Sequence, residues 1–150
     1  MIDAPKLAAA LSAMLLIPGN AAAAGLEPGA YEVTFRLEVP PVERYATDAT
    51  VRVCVRAGTT SLPVLSANNP LRFCPAENVR VTGNRLGYDI LCPGRRNDRS
   101  QAHAEFHLAA GGFTGRIAMV MGGKNMTFTE VQQGRRVGAC AVAAASLTPR

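Results

Sequence analysis

The run Tyr31-Glu32-Val33-Thr34-Phe35-Arg36-Leu37-Glu38-Val39 alternates apolar and polar residues with a period of two. Successive side chains of a strand point to opposite faces, so the five apolar residues share one face and the four polar ones the other. This is the pattern of a half-buried strand, and Pro40-Pro41 ends it.

The same period continues downstream. Val51, Val53 and Val55 share one face of a second strand over about 50–55. Gly58 to Pro70, with two prolines in a Ser/Asn-rich stretch, reads as a loop. Val79 and Val81 precede Gly83-Asn84, and Leu86, Tyr88 and Ile90 follow, which predicts a hairpin. Pro93 to Arg99 is a polar turn. Ala104, Phe106 and Leu108 mark a fifth strand. Gly111-Gly112 turns the chain into a sixth, with Phe113, Ile117, Met119 and Met121 on one face. Gly122-Gly123 leads into a strand from Met126 to Gln132, and a last short strand is expected from Arg136 to Val142. No segment after residue 24 carries the 3.6-residue period of an amphipathic helix. Short strands joined by glycine-containing turns predict an all-β fold. An antiparallel meander must hide its edges, so the expected architecture is a strongly curved or barrel-like sheet.

Residues 1–24 have the plan of a cleavable signal peptide. Lys6 supplies the positive charge, Leu7 to Ile17 is an uncharged apolar stretch, Pro18-Gly19 breaks it, and Ala22-Ala23-Ala24 offers small residues for cleavage. The apolar stretch is 11 residues long, against the roughly 20 that a membrane-crossing helix needs, so the chain is not expected to be an integral membrane protein. Residues 25–150 then form a single domain, placed in the periplasm or secreted.

The formal net charge is +5 and nearly all of the positive charge is arginine. The arginines are scattered, aromatic residues are few and tryptophan is absent. That pattern excludes nucleic acid as the expected partner, because such proteins concentrate charge on one face and add stacking aromatics.

Cys54, Cys74, Cys92 and Cys140 all lie outside the leader. In an oxidising compartment they predict two disulfides. A meander that sets the second and third strands side by side favours Cys54–Cys74 with Cys92–Cys140. Cys74–Cys92 is the rival: matching Val81 with Leu86 and Val79 with Tyr88 sets Cys74 opposite Pro93, and a single bulge would remove that objection. There is no C-x-x-C spacing to suggest zinc or redox chemistry.

The residues with ligand chemistry are His103, Glu105 and His107, which share one face of the fifth strand. Adjacent members lie about 7 Å apart at Cα, close enough for His103 and Glu105 to serve one metal ion, whereas the two histidines are about 13 Å apart and do not. Met119, Met121 and Met126 offer thioethers of the kind that bind Cu(I), though Met119 and Met121 share the face of Phe113 and Ile117 and read as core. No nucleophile elbow, phosphate loop or paired-carboxylate signature occurs, so no enzyme activity and no cofactor are expected.

Gly25-Leu26-Glu27-Pro28-Gly29-Ala30-Tyr31-Glu32-Val33 resembles the G-L-x-P-G-x-[WY]-E-V opening of the domain-of-unknown-function family 3617. The order of the four cysteines and the closing run Gly134-Arg135-Arg136-Val137-Gly138-Ala139-Cys140 resemble it too. The resemblance covers residues 25–140 and implies an exported protein of Gram-negative bacteria, with no established activity and no catalytic residues to carry over. The functional expectation is a non-enzymatic domain binding an envelope component or a small apolar ligand within the curved sheet. The alternative is a periplasmic metal-handling protein for copper or zinc.

Overall fold

The computed structural model describes residues 25–92, 101–121 and 126–141. The expected signal peptide, the Pro93–Arg99 turn and the Gly122-Gly123 turn lie outside the described residues. The described residues form seven strands: β1 Gly29–Glu38, β2 Ala49–Val55, β3 Ala76–Thr82, β4 Arg85–Leu91, β5 Gln101–Ala109, β6 Gly112–Met121 and β7 Met126–Gly138. They make one antiparallel sheet in the order β2-β1-β7-β6-β5-β4-β3. Except for β2 and β3, each strand lies beside its neighbour in sequence, and the first lies beside the last. This is the order of an up-and-down barrel with one seam, between β2 and β3, left unpaired. Among the described residues no helix is long and apolar enough to cross a membrane.

The separate last strand is a correction. Residues 126–138 form one continuous strand, paired with β6 from Met126 to Arg135 and with β1 from Thr129 to Gly138. Gln132-Gln133-Gly134 reads in sequence as a break. With partners on both sides its backbone groups are satisfied in the ladder, so the chain stays extended.

The alternation in β5 is complete: Ala102, Ala104, Phe106 and Leu108 are buried, and the residues between them are exposed. Tyr31 and Val33, Leu86, Tyr88 and Ile90, and Phe113, Ile117 and Met119 join them on the inner face. Two glycines make this packing possible. Gly115 pairs with Phe106 and Gly134 with Phe113, and a Cβ at either position would collide with the ring opposite. The two rings therefore lie over glycine backbone and meet edge to face, with centroids 5.7 Å apart.

The connection from β2 to β3, residues 56–75, has to travel from one edge of the sheet to the other. It does so over the inner face, burying Leu62, Val64 and Leu71 against the strands. This segment is the second layer of the core, which a lone sheet would lack.

The disulfides are Cys54–Cys140 and Cys74–Cys92, with Cα separations of 5.5 Å and 5.2 Å. The favoured pairing of Cys54 with Cys74 and Cys92 with Cys140 is thus overturned, for two physical reasons. The strands β2 and β3 sit at opposite edges of the sheet, so Cys54 and Cys74 are not neighbours. The register of β3 on β4 also shifts between Glu77 and Arg80, where Asn78 and Val79 together face Tyr88. That bulge moves Cys74 one place, from opposite Pro93 to opposite Cys92. The other bridge crosses the end of β1, where Ala30 pairs with both Cys54 and Gly138.

Peptide mapping under non-reducing conditions is expected to recover these two bridges. The bridges have sequence separations of 86 and 18, so the chain-entropy model assigns about 5 kcal/mol to the longer and about 3 kcal/mol to the shorter. Thermal unfolding in reductant should show a large fall in Tm, with Cys54→Ser/Cys140→Ser costing more than Cys74→Ser/Cys92→Ser. An unchanged Tm in reductant would contradict this account.

Candidate functional site

The inner face carries an unexpected set of polar side chains. Glu130 and Gln132 are fully buried on β7. Glu130 Oε1 accepts from the Leu65 N–H and Oε2 from the Ser66 N–H, both at 2.8 Å. Gln132 Nε2 donates to Glu130 Oε1 at 2.6 Å and to the Pro63 carbonyl at 2.8 Å. On β4 the Tyr88 hydroxyl donates to the Leu62 carbonyl at 2.6 Å and accepts from its N–H at 3.1 Å. Asn69 donates to the Met119 sulfur at 3.1 Å. All but the Gln132–Glu130 bond, which lies within β7, tie the 56–75 segment to the sheet. Among the described residues no buried side-chain polar atom lacks a partner. Burial, and secondarily the Glu130 carboxyl, push the Tyr88 phenol well above its ordinary range.

The crossing segment occupies much of the inner face, where an internal ligand was expected. The crossing segment packs Leu62, Val64 and Leu71 into the space inside the curved sheet. Gaps beside it among the described residues include about 200 Å³ at Leu62, Leu71 and Tyr88 and about 160 Å³ at Leu37, Ser66 and Phe128. Both are smaller than the roughly 300–1,000 Å³ of a small-molecule cleft. The polar groups that could orient a ligand are already bonded to backbone.

The outer face holds the histidines. His103, Glu105 and His107 alternate outward along β5 as the sequence predicts. His103 Nδ1 lies 2.7 Å from Asp89 Oδ1 on β4, and the other Asp89 oxygen accepts from Asn78 Nδ2 at 2.9 Å. These two bonds, His103 first, hold the Asp89 carboxyl below its usual pKa. His103 Nε2 lies 3.7 Å from Glu105 Oε1. His107 instead lines a separate depression of about 450 Å³ with Arg36, Glu38, Glu105 and Arg116. Among the described residues no group of three or more His, Cys, Asp or Glu converges as a metal site. The methionines divide: Met119 is core, with its sulfur accepting from Asn69, and Met126 is half exposed. All four cysteines are in disulfides.

The sequence reading placed His103 and Glu105 correctly on one face but missed Asp89, Asn78, Glu130, Gln132 and Tyr88 as site-forming residues. For Glu130 and Gln132 the signal was present. The alternation from Met126 through Phe128 puts both on the apolar face, and a carboxyl on that face demands partners. Asn78 could be joined to Asp89 only through the bulge.

A family model described as "Protein of unknown function (DUF3617)" matches residues 26–140. The chain belongs to the DUF3617 family. The match runs from Leu26, just before β1, to Cys140, so it includes all seven strands and both disulfides. No curated protein and no solved structure matches this DUF3617 chain.

Two outcomes follow for the inner face. Glu130→Ala leaves the Leu65 and Ser66 N–H groups buried without an acceptor, at about 1–3 kcal/mol each, so chemical denaturation should show a loss of about 3 kcal/mol or more. Glu130→Gln keeps one acceptor oxygen and should lose less; a loss within ~0.5 kcal/mol for either variant, the range of an ordinary surface change, would mean the segment is held by other contacts. Tyr88 has a folded-state pKa above its unfolded value of 10.0. Its contribution is fully present below that pH and is lost as the pH rises beyond it. Tm should therefore fall above about pH 10, and more shallowly in Tyr88→Phe, which has no phenol to ionise.

Proposed function

We propose that this chain is an exported, non-enzymatic binding domain of the bacterial envelope that engages a protein partner at the free edge of β2. Two disulfides and the apolar leader of the sequence support the oxidising compartment. The observation that carries the binding mode is the asymmetry of the two edges at the open seam. The β3 edge is interrupted by its bulge, with Asn78 at φ 52°. Bulges and charges are the usual means by which a sheet edge is protected from further pairing. The β2 edge has no such interruption. Its seven residues pair with β1 in unbroken register from Ala49 to Val55. Among the described residues, no backbone hydrogen bond from another segment reaches positions 49–54 on the side away from β1.

The occupant that fits is an extended segment of another envelope protein, added as a further strand. Its backbone would satisfy the β2 groups, and alternate side chains would meet Val51 and Val53 on one face and Thr50 and Arg52 on the other. Arg52 on β2 and Arg56 just after it, against Asp48 just before it, leave a small positive balance that favours a neutral or acidic segment over a basic one.

A photoreactive residue placed at Arg52 should crosslink in intact cells to a defined envelope protein, while the same residue at Arg80 on β3 should not. That protein, once purified, should slow amide hydrogen exchange in β2 when mixed with the domain. Equal crosslinking at both edges, an adduct only with a second copy of the chain, or β2 amides that stay unprotected would overturn the reading.

A further inference from the structure

We infer that His103 and Glu105 form a binding site for a divalent zinc-like cation on the outer face, with Asp89 as the group that orients the histidine. The first observation is the separation of the two donor atoms. His103 Nε2 and Glu105 Oε1 are 3.7 Å apart. An ion about 2.1 Å from each, the usual zinc distance to imidazole nitrogen and carboxylate oxygen, would see them roughly 120° apart. That angle suits a tetrahedral ion. Adjacent corners of a tetragonal Cu(II) site require about 90°, hence donors roughly 3 Å apart, closer than the pair stands.

The second observation is the partner of the other ring nitrogen. A ligating histidine nearly always donates its other ring N–H to a carboxylate or carbonyl, which fixes the ring and raises its basicity. The Asp89 oxygen at 2.7 Å from Nδ1 is that carboxylate, and Asn78 holds its second oxygen in turn. The arrangement directs the Nε2 lone pair to the Glu105 side. Three strands contribute to it, with Asn78 on β3, Asp89 on β4 and the two ligands on β5. It therefore exists only in the folded sheet.

The third observation is access. His103 is half exposed, with 50% of its side chain open to solvent. It stands at the wall of a depression of about 390 Å³ beside Leu91, Gln101, Ala118 and Val120. Two protein ligands leave the remaining positions of a tetrahedral ion to water or to an atom supplied from outside, the coordination of an open rather than a structural site.

The chain contains two histidines, which makes the test self-controlled. Zinc chloride is titrated into the untagged, oxidised protein while the long-range imidazole 15N–1H spectrum is recorded. The expected result is a saturable shift at His103 Nε2, with His107 unmoved. His103→Ala should abolish binding measured by calorimetry and His107→Ala should leave it unchanged. Asp89→Asn keeps both ligands but removes the orienting carboxylate, and should weaken zinc by about 10–100-fold. Circular dichroism and Tm measured on each variant separate loss of the site from loss of the fold. Binding that survives His103→Ala, an equal shift of both histidines, or no shift at millimolar zinc would overturn the assignment. Unchanged affinity in Asp89→Asn would overturn the orienting role.

Discussion

The carboxyl of Glu130 is the contact on which the rest of the molecule depends. A seven-stranded sheet with one open seam cannot bury its inner face by itself, and residues 56–75 supply the missing layer. That layer has no regular ladder of its own, so its backbone groups need acceptors from elsewhere. Glu130 provides two to consecutive N–H groups, and Gln132 and Tyr88 serve the residues just before them. Apolar burial of Leu62, Val64 and Leu71 drives the segment inward. The polar bonds decide where along the sheet it comes to rest, because hydrophobic burial has no direction of its own.

This division of labour also distinguishes the inner face from the outer one. The groups that could recognise a small molecule inside the sheet are already bound to the chain's own backbone, and the gaps beside them are small. On the outer face the polar residues are not uniformly solvated. His103 is held between two carboxyls in a geometry that Asn78 and Asp89 fix, while His107, on the same strand and face, has no hydrogen bond to a carboxyl among the described residues.

Most of the strands were legible in the sequence because each carries its own period of two over five or more residues, and local alternation needs no tertiary information. Residues 31–38, 85–91 and 101–109 were read nearly to their ends for that reason. Pairing was less legible. Which strands form the open seam depends on β1 choosing β7 as its second neighbour, a contact between residues about 100 apart in sequence. The polar run at Gln132-Gln133 gave no local hint that it belonged inside a strand. The disulfides failed on the same ground: Cys54 and Cys74 look adjacent only if consecutive strands are assumed to pair everywhere. Glu130 was readable from its inward position, but the partners that make burial tolerable, Leu65 and Ser66, lie more than 60 positions away.

One extra residue in β3 links three features that otherwise look separate. By facing Tyr88 with both Asn78 and Val79, the bulge advances the register so that Cys74 meets Cys92. It breaks the regularity of the β3 edge, so that of the two strands bordering the seam only β2 presents an unbroken ladder. It also gives Asn78 a left-handed backbone conformation, which asparagine tolerates better than most residues, and puts its amide on the Asp89 carboxyl that holds His103. A disulfide across the same hairpin, closing near the bulge, keeps the two strands from slipping back into the unbulged register. The shift that defeats a pairing argument based on alternation is therefore the same shift that protects one edge and fixes the histidine. A strand irregularity of this kind is better read as a positioned element than as a defect in the ladder.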